Sequence, residues 1–480
     1  MKNPNTLTSY DILFLSLTLL VLVMLSLQLP IIPSDYWWCL RVGHETILNK
    51  AVPAIETFSW TQTGKPIVYQ PWLACVAFWS IYNLGGATLT FLLRAILLAI
   101  AYGVIWYMAR RESGPRLASI LIIVLGLATS DNWVMRTQLF AYPLFAIFLY
   151  ALFQWQQGNN RMLWLLPLTT LIWTNMHGSF ILALLLAGTA FVFGKGDRKA
   201  LFLTGVIMLV ATLITPHGLN GWRQVVFMLN NPSDQKFSVE WFPPKNEGWQ
   251  AHIFFGWILL MIPLVTCANR KFSLLEWALV LGFGWLALSG IRYIIWFLFI
   301  LAVLTARLFD DITQHRLESK EDGDANPKFN YLLAVIFALV PLLALPGIRD
   351  SWISDPPPAY NQTLTPIKAT TWLQDHPDLP GPIFNDDAFG SYLIYALSSR
   401  PVWLDARYFV YPPDQMETHQ KISTAHPDWE TLLDQHKINL LMLSTANQPR
   451  LITSVERSNI WCEQYRDKIA VIFSRCTPIQ

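Results

Sequence analysis

One segment of this 480-residue sequence concentrates side chains that could do chemistry. Residues 33–73 read PSDYWWCLRVGHETILNKAVPAIETFSWTQTGKPIVYQPWL. Asp35 directly follows a long apolar run, and Tyr36, Trp37 and Trp38 come next. Arg41, His44 and Glu45 follow at helical spacing, and Glu56 sits beyond the turn at Pro53. Tyr69, Gln70 and Trp72 lead into an amphipathic stretch, Leu73 to Tyr82, suited to lying along a membrane surface. A carboxylate at a membrane boundary among aromatics is partly desolvated. Its pKa tends upward, which suits a general base. Asp35 and Glu56 are also the pair that would hold a divalent cation, Mg or Mn. The competing reading makes Asp35 the cap of an interfacial helix that the tryptophans anchor. The residues alone leave both open.

Further polar residues mark the ends of other apolar runs. They are Arg136 and Gln138, Asn175 and His177 in TNMHG, His217 in TPHG, Glu240 in VEWFPP, and Arg292 with Tyr293. Polar groups at a membrane boundary must find water, partners or ligand. Six run ends contributing to one face point to a shared cavity. Arg136 and Arg292 suit an anionic group, because guanidinium binds phosphate bidentately. Each would equally suit an interfacial ion pair, Glu240 being one partner. Arg94 lies a third of the way into a run, among Leu92, Leu93, Ile96 and Leu97. Snorkelling to the outer face is its simplest reading. Glu276 reads as structural.

The elements that position these residues are membrane spans. Hydrophobic residues make up 53% of the chain and charged residues 14%, which excludes an ordinary soluble enzyme and a disordered chain. The net charge of +2 excludes a nucleic-acid partner. The 22 tryptophans suit a protein with many membrane interfaces. Eleven spans are expected, at about 10–31, 86–109, 117–130, 138–155, 162–176, 179–194, 200–215, 251–268, 273–290, 294–309 and 329–346. Arg110, Arg111, Arg116, Arg161, Lys195, Arg198, Lys199, Arg270, Lys271, Arg307, Arg316, Lys320 and Lys328 all fall on one side if the amino terminus is cytoplasmic. The long loops 32–85 and 216–250 are then outside, and so is the carboxy-terminal part.

Two domains are expected: a membrane domain over 1–346 and a soluble extracytoplasmic α/β domain over 347–480. Residues 347–480 carry 11 basic and 15 acidic residues, and the remainder carries 23 and 17. The turn-rich stretch from Ser354 to Tyr360, with Pro356, Pro357 and Pro358, follows the boundary. Pro382 to Phe384 and Pro401 to Leu404 read as short strands, with a helix over Phe389 to Leu397 between them. Asp428 to Gln435 reads as a helix leading into a strand at Ile438 to Leu443. Trp461 to Asp467 and Lys468 to Cys476 read as a hairpin, across which Cys462 and Cys476 pair or remain free thiols. The polar segment Gln314 to Pro327 reads as a cytoplasmic loop. Phosphate-binding loop, dinucleotide glycine fingerprint, HExxH and paired CxxC motifs are all missing from the sequence.

Several motifs carry a resemblance. They are DYWWCLRVG at 35–43, VPAIETFSW at 52–60, RTQLFAYPL at 136–144 and WTNMHGSF at 173–180. ITPHGLNGW at 214–222, EWFPP at 240–244, and FNDDAFGSYLI with VWLDARYFVY within 384–411 complete the set. On these the chain resembles the GT-C superfamily of integral membrane glycosyltransferases, and more narrowly a bacterial membrane family of that architecture. The resemblance implies a sugar donor carried on polyprenyl phosphate or diphosphate, and an acidic catalytic residue in the first outside loop. Asp35 matches that acid by position. Glu56 stands near a second acidic position, as glutamate where aspartate is expected. The tandem acidic pair of protein O-mannosyltransferases and the WWD signature of oligosaccharyltransferases are both missing. That argues against transfer to a protein hydroxyl or amide.

The expected function is therefore an inverting glycosyltransferase at the outer face of a bacterial inner membrane. Asp35 is the expected general base, with Glu56 and His177 completing the catalytic set. Substrate binding is expected from Arg136, Gln138, Arg292, Tyr293, His44, Tyr69, Trp72, Asn175, His217 and Glu240. The partners implied are the lipid-linked donor, membrane lipids, and a glycan, lipid or protein acceptor. Two alternatives keep the architecture: a scaffold subunit without catalysis, and a polar-lipid transporter or flippase. Polar residues gathered at one face, with few deep charges, weigh against the last.

Overall fold

The structure is a computed structural model that describes residues 6–313, 326–355 and 357–477. Arg316, Lys320, Pro356 and most of the polar segment 314–327 lie outside the described residues.

Each of the eleven apolar runs carries a helix, because a chain in hydrocarbon must satisfy its backbone internally. In chain order the helices of this part are α1 (Ser9–Leu27), α2 (Asp35–Asn49), α3 (Trp72–Ser113), α4 (Pro115–Ala128), α5 (Ala141–Gln156), α6 (Leu165–Met176) and α7 (Ile181–Phe193). There follow α8 (Arg198–Ala211), α9 (Leu219–Leu229), α10 (Pro232–Phe237), α11 (Trp249–Cys267), α12 (Leu274–Ser289), α13 (Ile294–Thr313) and α14 (Pro327–Leu343). Five segments are long and apolar enough to cross a membrane: Ser9–Leu27, Trp72–Ser113, Thr137–Gln156, Trp249–Cys267 and Ile291–Thr313. The chain is a multi-pass helical membrane protein.

The amphipathic stretch after Trp72 is continuous with the second span. Gly85 and Gly86 break the helical conformation between them, and Gly86 has φ 55°, which a side chain would strain. The kink turns the surface-lying start of α3 into the membrane. A disulfide, Cys39–Cys75, joins α2 to that start. One turn on, a side chain at Gly43 would strike the Cys75 carbonyl, so glycine permits the close approach.

Trp37 and Trp38 are only 2% and 4% exposed, so they do not anchor an interfacial helix. The Trp37 ring lies 4.9 Å from that of Tyr392, 5.2 Å from Tyr395 and 5.4 Å from Tyr360. The carboxy-terminal part therefore packs on α2. Elsewhere Trp106, Trp133, Trp155, Trp173 and Trp296 are also fully buried. These tryptophans serve the core.

Arg94 does not snorkel. It is fully buried, and its Nη2 donates to the carbonyls of Ser26 (2.6 Å) and Leu29 (2.7 Å) at the end of α1. They lie at and just beyond the helix end, where the regular ladder stops; the Ser26 carbonyl also accepts the Leu29 N–H at 3.1 Å. Glu276 caps α12 with Ser273 and pairs with Arg307, which also takes Glu112 at 2.9 Å. Both charges make structural contacts: Arg94 with the end of α1, and Glu276 in a chain of ion pairs with Arg307, Glu112 and Arg270.

The carboxy-terminal part contains α15 (Ile367–Gln374), β1 (Ile383–Asn385), α16 (Asp387–Ala396), α17 (Pro413–Ser423), α18 (Trp429–Gln435), β2 (Leu440–Ser444), α19 (Pro449–Arg457), β3 (Trp461–Arg466) and β4 (Ala470–Arg475). The sheet order is β1-β2-β4-β3, with β1 parallel to β2 and the other pairs antiparallel. The β3–β4 hairpin forms, and Cys462 and Cys476 pair across it. Pro401 to Leu404 does not join the sheet. The Asn385 side chain bonds the Trp403 N–H and the Leu404 carbonyl, filling the place of a ladder. Val402 instead donates to the Phe58 carbonyl (2.9 Å) and accepts from the Trp60 N–H (3.2 Å). The expected strand is thus a strap across the first loop.

Candidate active site

A cavity of about 400 Å³ opens between the helix ends, the first loop and the carboxy-terminal part. That is within the ordinary range for a small-molecule site. Asp35, Tyr69, Arg136, Gln138, His177, Glu240, Arg292 and Tyr293 all line it. Asp234, Trp296, Ala406, Tyr408 and Phe409 line it too, although the sequence reading gave them no role.

Asp35 sits in the first turn of α2, where a carboxylate favours the helix dipole. It is not the cap: Ser34 holds that place, and the Ser34 hydroxyl donates to the Met135 carbonyl. Asp35 Oδ1 accepts from the Trp38 indole N–H at 3.1 Å. Its Oδ2 lies 4.0 Å from Arg136 Nε, and its side chain is 30% exposed. The carboxylate is held in direction yet partly open to the cavity.

The two arginines differ. Arg136 is paired with Glu240 as well as facing Asp35. The guanidinium of Arg292 stacks over Trp241 at 4.5 Å and makes no ion pair with a carboxylate among the described residues. It is the cation open to an anionic ligand. His177 Nδ1 accepts the Ser179 N–H at 3.1 Å, which leaves the proton of the neutral ring on Nε2. Burial, and then Arg292 and Arg136, push its pKa down to about 3. His177 is therefore neutral at physiological pH, as a hydrogen-bonding group and not a cation.

Five expected site residues lie outside the cavity. Glu56 is fully buried and spent. Its Oε1 accepts the N–H groups of Phe58 (2.7 Å) and Ser59 (2.9 Å), and its carboxylate pairs with Arg407 at 2.7 Å. It cannot share a cation with Asp35. Among the described residues no group of three or more His, Cys, Asp or Glu is placed to hold a metal ion. His44 lies against Trp79, the rings tilted with centroids 4.5 Å apart, and lines a separate crevice with Arg41 and Tyr395. Trp72 donates to Asn175 at 2.8 Å, and Asn175 donates on to the Ile214 carbonyl at 3.0 Å. His217 Nε2 lies 3.0 Å from the Tyr69 carbonyl. These residues tie the first loop to α6 and to the loop after α8. They shape the cavity from behind.

The largest polar feature missed in the sequence is the clamp around Arg407. This guanidinium binds Glu56 on one side and Asp405 on the other, at 2.8 Å, and donates to the Tyr69 hydroxyl at 2.6 Å. Tyr411 donates to Asp405 as well. Glu56, Asp405 and Arg407 are all 0–1% exposed. The signal lay in VWLDARYFVY, whose Asp-x-Arg spacing puts both charges in one turn. Its partner 351 residues away was not readable. The clamp fixes the strap, and with it Ala406, Tyr408 and Phe409 at the cavity wall.

No protein-family model matches the chain, and no curated protein does either. Several solved structures are similar. The Archaeoglobus fulgidus oligosaccharyltransferase tethered with an acceptor peptide is 12% identical over 96% of this chain and 74% of its own, with a TM-score of 0.56. ArnT from Cupriavidus metallidurans, bound to undecaprenyl phosphate, is 15% identical over 97% of this chain and 98% of its own, with a TM-score of 0.53. Arabinofuranosyltransferase AftD from Mycobacteria is 13% identical over 98% of this chain but 40% of its own, with a TM-score of 0.56. Such identity speaks to architecture, and the architecture this chain shares with them from end to end is the GT-C glycosyltransferase fold.

Proposed function

We propose that this chain is an inverting glycosyltransferase that takes its sugar from polyprenyl phosphate at the outer face of a bacterial inner membrane. The observation that carries the reading is the pairing, in one cavity, of an open carboxylate on the first loop with a guanidinium that makes no ion pair with a carboxylate among the described residues. The acceptor hydroxyl attacks the anomeric carbon and gives its proton to Asp35. The bond from that carbon to the phosphate oxygen breaks, and the electron pair leaves with the phosphate. Arg292 meets that charge, and Arg136 adds to it by turning from Glu240. Fixed cations aimed at a departing anion are a large term in such chemistry. His177, through Nε2–H, and Gln138 orient the sugar. ArnT, similar over its whole length, was captured with undecaprenyl phosphate, which supports a donor of that class.

Orientation is supported by the cysteines. Cys39–Cys75 and Cys462–Cys476 both lie in parts expected outside, as an oxidising compartment favours, while the free thiol Cys267 lies at the other end of a span. A membrane-impermeant thiol reagent on intact cells should label Arg450→Cys, at an exposed position, and leave Cys267 untouched. The reverse pattern would invert the topology.

Binding tests the donor site without knowledge of the sugar. Arg292→Met should weaken undecaprenyl phosphate by about 10–100-fold, the scale of a lost charge-assisted hydrogen bond to phosphate. Unchanged affinity would remove the donor assignment. The scaffold reading keeps one specific support, the closing of Arg136 onto Glu240 inside the protein. It predicts no undecaprenyl phosphate binding at all.

A further inference from the structure

One carboxyl group of the cavity has no role in the reaction above. Asp234 sits on α10 and lines the cavity with Asp35 and Arg292. It is 8% exposed, and its Oδ2 is enclosed without a hydrogen-bond partner among the described residues. A buried polar oxygen left unpaired is costly, so such a group implies a partner not yet present.

The segment is fastened so that this side chain stays there. The Asn231 side chain accepts the N–H groups of Ser233 (2.8 Å) and Asp234 (3.1 Å). The Ser233 hydroxyl donates to the Tyr411 carbonyl at 2.8 Å. Lys236 turns away to Glu417, also at 2.8 Å, and cannot neutralise Asp234. The charges that act on Asp234 are Arg292, which favours its anion, and Asp35, which opposes it. Of the remaining groups on the cavity wall, Arg136 and Glu240 pair with each other and His177 is neutral. Tyr408 gives its hydroxyl to Asp387 at 2.7 Å. Burial is the largest influence and pushes the Asp234 carboxyl up to about 7. At neutral pH a large share of the molecules carry a carboxylic acid there, with an O–H to donate.

We propose that Asp234 is a ligand-binding residue of this cavity, donating a hydrogen bond from its carboxyl O–H to an oxygen of the phosphate that Arg292 holds. The inference rests on the donor reading above and deepens it. A bound phosphate offsets the pull of Arg292 and adds its own charge to that of Asp35. Both make ionisation of Asp234 harder, so ligand binding takes up a proton. During transfer the carbon–oxygen bond to phosphate breaks, and the hydrogen bond tightens onto the oxygen that gains charge. The acceptor's proton still goes to Asp35, and Asp234 ends the step as it began.

The test is binding by the full chain in neutral-lipid nanodiscs, from pH 5.5 to 8.5, with and without a chelator. Undecaprenyl phosphate and inorganic phosphate are titrated separately. At pH 6, Asp234→Ala should bind undecaprenyl phosphate about tenfold more weakly than the native protein, and Asp234→Asn, which keeps an N–H donor, should match it. At pH 8 the order should cross. The native carboxylate then repels the ligand, and both variants should bind more tightly. Titration of the ligand itself is common to all three proteins and cancels in the ratio. The same crossing with inorganic phosphate would support the contact for a soluble phosphate; crossing with the lipid alone would support it for a lipid headgroup. Parallel pH profiles in the three proteins would overturn the proposal. So would chelator-sensitive binding lost in Asp234→Asn, since that marks a carboxylate on a cation. If Arg292→Met loses both probes while the Asp234 variants track the native protein, this inference alone fails. If Arg292→Met binds normally, the donor reading fails first.

Discussion

Asp35→Asn should lower transfer by about 10²–10⁴-fold, the usual range for a removed general base, with binding of undecaprenyl phosphate intact or tighter. The geometry sets both halves of this expectation. Asparagine keeps an oxygen to accept the Trp38 indole N–H, so the first turn of α2 should hold its place. Arg136 keeps Glu240 as a partner after losing Asp35. What disappears is the basic oxygen at the open side of the carboxylate, and with it one negative charge near the phosphate. The effect should therefore fall on kcat and not on KM. Transfer assays beside lipid binding on the same purified variant would separate the two. Full activity would put the base elsewhere, and equal loss of binding would make Asp35 a structural residue.

Arg407→Met should cost about 3–5 kcal/mol of stability, because it strands two buried carboxylates. Glu56 would keep its two backbone N–H donors, and Asp405 would keep Tyr411, but neither would face a cation. The strap from Val402 to Tyr411 would loosen from the first loop, and limited proteolysis should then cut near it. Glu56→Gln should be milder, since Arg407 retains Asp405 at 2.8 Å. Melting curves of the two variants beside the native protein would show this order. An Arg407→Met variant as stable as the native protein would mean that the clamp holds nothing together.

The clamp also shows where reading the sequence stopped. Glu56 stands in the loop that carries Asp35, near a position where an acid is expected, and type and spacing made it a catalytic partner. In the structure Asp35 is open and Glu56 is sealed. Burial separates them, and burial depends on a strap 351 residues further on. Asp234 was missed for the converse reason. It lies in the expected outside loop 216–250, where an acid needs no explanation and the sequence reading assigned it no role. Only the cavity around it shows that its oxygen lacks a partner. Pro401 to Leu404 has the composition of a strand and runs extended, yet its hydrogen bonds go to the first loop.

Some features needed no tertiary information. A helix occupies each apolar run because hydrocarbon leaves the backbone no other partner, and that demand is written in local composition. The β3–β4 hairpin was legible over a short stretch of sequence, but the sequence left Cys462 and Cys476 either paired or free, and the structure pairs them. The set of helix ends bearing Asp35, Arg136, His177 and Arg292 was legible because polar groups collect where apolar runs stop. The tertiary structure decided the rest: that Arg136 pairs with Glu240 while Arg292 makes no ion pair with a carboxylate among the described residues, that Glu56 locks to Arg407, and that Arg94 meets the end of α1. Those outcomes depend on which charges meet across hundreds of residues, and on which remain in contact with solvent. Composition and periodicity carry local demands on the backbone. The pairing of charges is a property of the packed chain.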